Sequence, residues 1–309
     1  MDKNQQFEKM ARRVRWRRLI TTILIVIVTV PVILILGYKA SQMLAAYQVQ
    51  KLNTEMYGRE EIMAPNIQIS DQMLANNSVW GGQVVSHRYK EIDGYRVPWS
   101  MAIGNYSLLN NSVLANNIGS VDLANSGAYD RDTQTKIPVL YNNRVKRPIV
   151  KPAQEIAKVA KMKNYVAEVA VTFDHPLTYA EIQQKLPTTI KANWLWLGVS
   201  GKADSTDMEN DLLGIQLENG KINEEEYQQH RRTFQQASKL ELLDYDGFDM
   251  AKYVQQYAQK YPKLKQAKFA GMIVSGRSEE FKALANQSWI TASSVGAAVK
   301  RVPYQPVSY

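Results

Sequence analysis

The sequence predicts an α+β fold in which a single N-terminal transmembrane helix precedes a mixed α/β region outside the membrane. Three observations lead to this prediction. Residues 19–38 are apolar and uncharged, residues 60–142 hold short apolar runs broken by Asn, Gly and Ser, and residues 165–302 alternate between strand-like and helical spacing. The outer region is therefore expected to be strand-rich in its first half and to alternate strands and helices in its second half.

Charge and composition limit the possible functions. The 309 residues include no cysteine, which excludes disulfides, thiolate nucleophiles and zinc sites that need sulfur. The net charge is +9, but residues 1–18 contain seven basic and only two acidic side chains, so the basic character lies mostly at the N-terminus. A DNA-binding surface is not implied, and we expect no direct contact with nucleic acid.

The apolar run LITTILIVIVTVPVILILGY, residues 19–38, is long enough to cross the hydrocarbon core of a bilayer as a helix. Its few hydroxyl side chains can bond back to the helix, and Pro31 is expected to kink it. A cleaved signal peptide is the alternative, but such peptides have apolar regions of about 7–15 residues and a small-residue cleavage site. Residues 40–46 contain no clear A-x-A site. We therefore expect an uncleaved membrane anchor in contact with the lipid bilayer.

The orientation follows from the flanking charges. Basic residues cluster before the apolar run, and basic residues stay on the cytoplasmic side. The N-terminus is therefore expected in the cytoplasm and residues 39–309 outside the cell membrane. The residues expected to set this topology, or to contact a partner, are Arg12, Arg13, Arg15, Arg17 and Arg18. The charge pattern alone does not separate these two roles.

The chain divides into five expected segments. A basic cytoplasmic tail (1–18) and the transmembrane helix (19–38) lead into a helical stalk (39–58), for which Gly58 is the expected stop. Residues 59–155 form the strand-rich region, with Asp93-Gly94 as a hairpin turn and a linker that contains Pro148 and Pro152. Residues 156–309 form the C-terminal domain.

The C-terminal domain shows clear start and stop signals. Thr178 and Glu181 form a capping box at the start of a helix that Pro187 ends, and Asn223 and Asp249 cap two further helices. The helix after Asn223 is expected to cover residues 224–243, and a short helix is expected from residue 278. The expected strands are 165–173, 194–199, 268–275 and 289–302.

No catalytic arrangement is recognisable. His87, His175 and His230 lie far apart, and none has a second histidine at metal-ligand spacing. Asp174 and His175 are expected to form a strand-ending turn rather than an acid/base pair. We therefore expect that the protein is not an enzyme.

One acidic run could suggest calcium. The acidic run holds Asp204, Asp207, Glu209 and Asp211. Counted from Asp207, its carboxylates fall at positions 1, 3 and 5 of an EF-hand loop and Glu218 falls at position 12, but Leu212 stands at position 6, where that loop needs a glycine. A solvated loop is expected instead, and no metal or cofactor is expected anywhere in the chain.

Several segments together resemble the membrane-anchored sigma factor regulator family of low-GC Gram-positive bacteria. The N-terminal part of the likeness is the basic tail with its single span and the segment IDGYRVPW at 92–99. The C-terminal part comprises four segments in the right order: VAVTFDHPLTYAEIQQKL (169–186), WLWLGV (194–199), FAGMIVSG (269–276) and WITASSVGAAVKRVPY (289–304). Residues 100–155 are not matched.

The resemblance implies an anti-sigma factor, which holds an extracytoplasmic-function sigma factor inactive until an envelope signal reaches its outer domain. A tail of 18 residues spans about 27 Å as a helix, too little for a globular clamp. The tail would thus bind as one amphipathic or basic helix, or pass the signal to a second membrane subunit. The alternative is a membrane-anchored extracellular binding or scaffold protein whose tail only sets topology.

Overall fold

The fold is that of a computed structural model, which describes residues 3–114, 119–122, 127–240, 242, 244–245 and 247–302. Parts of several expectations lie outside these residues: 1–2 of the basic tail, 115–118 and 123–126 of the strand-rich region, 241 and 243 of the expected helix, 303–304 of the resemblance, and 241, 243, 246 and 303–309 of the C-terminal domain. In the described residues helices and strands are mixed, which confirms the expected fold class.

The longest element is helix α1 (Lys3–Ile62), which continues through the tail, the apolar run and the stalk, Pro31 included. At 1.5 Å per residue it is about 90 Å long. The expected stop at Gly58 is wrong. A Cβ at residue 58 would lie 2.8 Å from Leu240 Cδ2, so this glycine allows a close approach of another segment. The helix ends before Ala64, which has a left-handed backbone (φ 61°) and precedes a proline.

The strand-rich region is built on a four-stranded antiparallel meander, β1 (Gln68–Ser78), β2 (Gly81–Ile92), β3 (Tyr95–Ser107) and β4 (Asn111–Leu114). Asp93 and Gly94 have φ angles of 49° and 87°, as a two-residue hairpin turn requires, so the expected hairpin is confirmed. A small sheet follows, made of β5 (Gly119–Asp122), β6 (Gly127–Asp130) and β7 (Lys136–Ile137). Residues 138–153 then form neither helix nor strand.

The second half folds around a five-stranded antiparallel sheet in the order β10-β9-β13-β8-β14. Its strands are β8 (Tyr165–Thr178), β9 (Ile190–Trp196), β10 (Gly214–Gln216), β13 (Lys268–Arg277) and β14 (Ile290–Lys300); a short pair, β11 (Asp244–Tyr245) and β12 (Phe248–Asp249), stands apart. The helices are α2 (Ile156–Val159), α3 (Tyr179–Lys185), α4 (Glu224–Gln235) and α5 (Met250–Lys260).

The starts of three of these helices were predicted correctly from their capping side chains. The capping boxes of Thr178 with Glu181 and of Asn223 with Glu226 are both formed, and Asp249 accepts a hydrogen bond from the Lys252 backbone N–H. A 3₁₀ helix at Ser278–Leu284 stands where the short helix was expected. The caps are local in sequence, and for that reason the sequence alone could predict them.

Four expected boundaries or environments need correction. The strand expected at 194–199 begins earlier, at Ile190, and ends at Trp196, because the chain turns at Gly198 (φ 85°). The helix expected at 224–243 ends at Gln235, where a 3₁₀ turn brings Leu240 against Gly58. Asp174 and His175 lie within β8, whose register against β13 shifts at that place, and so they form no strand-ending turn.

The fourth correction concerns the acidic loop, which is packed rather than solvated. Asp204 accepts a hydrogen bond from the Ile149 backbone N–H (2.8 Å), and buried Asp211 accepts one from the Tyr245 hydroxyl (2.6 Å). Met208 and Leu212 are also buried. The loop thus fixes the connection from the small sheet onto the C-terminal sheet.

Candidate functional site

The N-terminal arginines lie on consecutive turns of α1, and all five are exposed. At 100° per residue, Arg12, Arg13, Arg15, Arg17 and Arg18 are distributed around the whole helix. The structure therefore brings them together along the axis, as a basic collar just before the apolar run, but not on one face.

The same segment has an apolar stripe that the sequence analysis missed. Phe7, Met10 and Val14 follow the spacing i, i+3, i+7 and lie on one face of α1. Their side chains are 75%, 61% and 50% exposed. Helical spacing in the tail was the signal that could have found them. The tail is thus an amphipathic helix with an open apolar face.

The apolar run is uncovered along its length. α1 contains the one stretch in the described residues that is long and apolar enough to cross a membrane. The hydroxyls of Thr21, Thr22 and Thr29 donate to backbone carbonyls four residues earlier, at 2.9, 2.9 and 2.6 Å. These polar groups are therefore satisfied within the helix, as a hydrocarbon environment requires.

Beyond the apolar run, one face of α1 is covered by the four-stranded sheet. Leu52 and Met56 form a buried cluster with Val84 and Tyr106. A Cβ on Gly104 would lie only 2.6 Å from Leu52 Cδ1, so this glycine lets the helix lie directly on the sheet. Burial of this close fit makes the stalk part of the folded region rather than a free linker.

An ion pair fixes the end of α1 to β2. Arg88 is 4% exposed, donates from Nε to the Ser100 carbonyl (2.7 Å) and lies 3.4 Å from Glu60 Oε1. Burial raises the pKa of the Glu60 carboxyl, although the Arg88 guanidinium opposes this shift. The helix end and the sheet are therefore joined by charge as well as by apolar packing.

The next residue of α1 contacts the second half of the chain. Thr233 on α4 donates to Glu61 Oε2 at 2.9 Å, and His230 Nδ1 lies 3.4 Å from Glu61 Oε1. Burial lowers the pKa of His230 to about 4 and raises the pKa of Glu61. α1 thus contacts both halves of the folded region that follows it within two residues, Glu60 and Glu61.

A buried polar network joins the two halves themselves. Lys90 on β2 and Glu168 on β8 are both 0% exposed, with Lys90 Nζ 3.0 Å from Glu168 Oε2. Asn66, just after α1, donates to Glu168 Oε1 at 2.8 Å, and Asn193 donates to the Glu91 carbonyl at 2.9 Å. Burial lowers the pKa of Lys90, while Glu168 opposes the shift. The segment after α1, β2 and the C-terminal sheet therefore meet at one carboxylate.

A cleft of about 630 Å³ opens on the C-terminal sheet, lined in part by later residues of the two strands that carry Glu168 and Asn193. Its aromatic lining includes Trp196, Tyr253 and Tyr257, and exposed Arg144 and Lys268 stand at its edge. The Tyr253 and Tyr257 hydroxyls donate to backbone carbonyls at 2.9 and 3.0 Å, which fixes both rings. Trp196 and Tyr257 are buried, so Tyr253 is the one of these three rings with an open part, and exposed Asp174 adds a negative charge to the lining.

The remaining histidines do not assemble a catalytic centre in the described residues. His87 pairs with Asp71 and His175 with Asp174, each at 2.7 Å, on different parts of the surface. Each pair consists of two exposed side chains; the Ser70 hydroxyl donates to Asp71 Oδ2 at 3.0 Å, whereas the His87 ring contacts Asp71 through the other carboxylate oxygen, Oδ1. His230 faces Glu61 at the helix junction instead. The three histidines are thus separate features, as their spacing predicted.

Two family models match the chain. The model described as "Sigma factor regulator N-terminal" matches residues 8–97, and the model described as "Sigma factor regulator C-terminal" matches residues 159–297. The first covers the tail, the apolar run and the docked sheet up to β3; the second covers the five-stranded sheet and its helices. The chain matches no curated protein and no solved structure.

Proposed function

The chain belongs to the sigma factor regulator family, and from this premise we propose that it is a single-pass anti-sigma factor for an extracytoplasmic-function sigma factor. Families of this kind regulate and do not catalyse. In the proposed arrangement the tail lies in the cytoplasm, α1 crosses the cell membrane and the folded region lies outside.

One observation supports this assignment most strongly: α1 is a single helix from the exposed tail to the buried junction at Glu60 and Glu61. A change in the outer region that moves this junction moves the tail, because no loop lies between them. The buried contacts of Leu52, Arg88 and Thr233 transfer such a movement from both outer halves. This supports a role in signalling across the membrane over a role as a passive anchor.

The tail supplies the surface that would hold the sigma factor. Its stripe of Phe7, Met10 and Val14 is open, and an amphipathic helix of this kind lies with its apolar face in a groove of the partner. The arginine collar would add ion pairs with acidic side chains of the partner. The contact is made either directly with the sigma factor or with a second membrane subunit.

A crosslinked pull-down from membranes tests the proposal. Full-length protein is compared with a variant that lacks residues 2–14 and keeps Arg15, Arg17 and Arg18 for topology. Two matched double variants distinguish loss of the apolar stripe from shortening of the tail. Phe7→Ser with Met10→Ser should abolish capture of the sigma factor, whereas Gln5→Ser with Gln6→Ser should retain it. Replacing the arginines by lysines should weaken capture if they form paired contacts.

The outcomes separate the hypotheses. Capture of a sigma factor that depends on Phe7 and Met10 supports the anti-sigma function. Capture of a small membrane protein by the same residues supports a two-subunit regulator. If neither is captured and the same proteins are bound with and without the tail, the anchored binding or scaffold protein is the better assignment.

We further propose that the cleft on the C-terminal sheet receives the outer signal. The half-buried ring of Tyr253 and the exposed cations of Arg144 and Lys268, which line the same cleft, suit a sugar that carries a carboxylate or phosphate, as envelope glycans do. Muramyl dipeptide and glycerol phosphate serve as probes in a titration of tryptophan fluorescence. Arg144→Gln with Lys268→Gln should abolish the response, whereas Lys158→Gln, an exposed lysine that does not line the cleft, should not.

A further inference from the structure

Two hairpin ends form an exposed apolar patch at one end of the four-stranded sheet. Val79 and Trp80 lie between β1 and β2, and Leu109 lies between β3 and β4. Their side chains are 52%, 75% and 84% exposed. The two ends adjoin, since the Leu108 N–H donates to the Trp80 carbonyl at 3.2 Å and Gly81 pairs with Ser107. We call Val79, Trp80 and Leu109 the hairpin tips.

Contacts with α1 give the direction of these strands. Arg88 on β2 meets Glu60, and four residues earlier Val84 shares a cluster with Leu52. Four residues of strand rise about 13 Å, and the eight residues of helix from Glu60 to Leu52 rise about 12 Å. β2 therefore runs nearly parallel to α1, and its start points along the helix toward the apolar run.

The same geometry places the hairpin tips near the membrane surface. From Val84 to Trp80 the strand descends another 13 Å or so, which corresponds to roughly nine residues of α1 and reaches the level of Met43. That level is about 8 Å beyond Tyr38, where the apolar run ends, and the headgroup layer extends about 5–7 Å beyond the hydrocarbon. The backbone of the tips thus lies at the outer edge of this layer, at a distance that a Trp or Leu side chain can bridge. Ala45, two residues beyond Met43 along α1, already packs against the cluster of Leu52 and Tyr106, which agrees with this level.

The charge distribution fits this position. Residues 72–86 and 97–121 contain no Asp, Glu, Lys or Arg, whereas the other end of the same sheet carries Glu91, Asp93 and Arg96. The sheet is therefore uncharged at the end that faces the membrane and charged at the end that faces away. Tryptophan is enriched at membrane interfaces because its ring is apolar and its N–H is polar.

We propose that the hairpin tips insert into the headgroup layer of the outer leaflet and hold the outer region on the bilayer at a second point besides α1. The occupant of this apolar patch is thus the lipid surface. The proposal depends on α1 crossing the bilayer and is independent of which protein binds the tail.

Single-cysteine spin labelling tests it, because the chain has no cysteine of its own. Trp80→Cys and Leu109→Cys are labelled with a nitroxide in the full chain, which is reconstituted into vesicles of phosphatidylglycerol and phosphatidylethanolamine. Accessibility to oxygen and to a water-soluble nickel chelate is measured for each label. Arg96→Cys, exposed at the far end of β3, is the matched control, and Ile27→Cys reports the span.

The expected result is a nickel accessibility at residues 80 and 109 several-fold lower than at residue 96, with a higher accessibility to oxygen. Leu109→Cys keeps Trp80, so loss of the indole cannot by itself cause a negative result there. Equal nickel accessibility at 80, 109 and 96 with a protected residue 27 overturns the proposal and leaves the membrane span intact. Protection of the tips from both reagents also overturns it, because that pattern indicates burial against protein. Nickel access to residue 27 overturns the span and the proposal together.

Discussion

Lys90 and Glu168 form the most consequential single pair in the molecule, because they are charged, fully buried and contributed by different halves of the chain. Removing one partner of such a pair leaves a buried charge without compensation. Lys90 also lies 4.3 Å from the centre of the Trp99 ring, so its charge has a second partner. The pair therefore specifies how β2 meets β8.

We predict that Lys90→Met or Glu168→Leu alone lowers the free energy of unfolding by about 3–5 kcal/mol. The double variant Lys90→Met with Glu168→Leu should recover most of this loss, because no charge remains buried. The measurement is urea unfolding in detergent micelles, followed by tryptophan fluorescence. Additive losses in the double variant would show that the pair is not coupled.

A second prediction concerns His230, whose pKa burial lowers to about 4. Because the unfolded state takes up this proton near pH 6.5 and the folded state only near pH 4, stability from this residue is complete above pH 6.5 and is lost as the pH falls toward 4. The carboxylate of Glu226 and backbone hydrogen bonds at Gln216 and Glu61 oppose this lowering of the pKa only in part. NMR of the His230 ring should show it neutral at pH 5.5.

His230→Gln supplies the control for that prediction. It should remove the part of the acid destabilisation between pH 6.5 and 4 that comes from this residue, and leave the behaviour above pH 7 unchanged. A ring signal that titrates near pH 6.5 in the folded protein would contradict the prediction.

At this scale the sequence could predict caps but not partners. The two capping boxes join residues only three positions apart, Thr178 with Glu181 and Asn223 with Glu226, so the sequence alone indicates their hydrogen bonds. Lys90 and Glu168 lie 78 residues apart, and each occupies a strand where a charged side chain normally indicates a solvent-facing position. The tail stripe of Phe7, Met10 and Val14 has local spacing and could have been predicted.

At the scale of elements, the docking of α1 on the sheet depends on one face of the helix. Leu52 is fully buried there, whereas Leu44 on the same helix is 43% exposed. We predict that Leu52→Ala costs about 2–5 kcal/mol, and that Leu44→Ala costs far less, because only the first leaves a cavity. Thermal unfolding of both variants in the same detergent measures the difference. Equal losses would mean that the helix does not dock through this face.

The sequence predicted which elements exist more accurately than where they end. The helix in the stalk continues past Gly58, and the helix that begins after Asn223 stops at Gln235, for one shared reason: Leu240 packs onto the bare Cα of Gly58. A contact between residues this far apart has no local signal. β8 likewise is buried on both faces, so its alternation does not report which face meets solvent.

At the scale of the whole molecule, the testable feature is orientation. We predict that a membrane-impermeant maleimide labels Lys202→Cys in intact cells but labels Glu8→Cys only after the membrane is permeabilised, because the arginine collar stays in the cytoplasm. Both positions are exposed, and the protein without added cysteine is the blank. Labelling of Glu8→Cys in intact cells would reverse the topology.

Because α1 runs without a break from the apolar run into the folded region, the orientation of that region depends on the thickness of the bilayer. An apolar run of about 30 Å must tilt by roughly 26° to fit a hydrocarbon core of about 27 Å. α1 is continuous from Tyr38 to Ala45, which packs against the sheet, so that tilt is carried into the whole folded region. A thinner or thicker membrane would therefore change the tilt of α1, even without a bound ligand. Such a change displaces the folded region and the tail, at the two ends of the helix, in opposite directions.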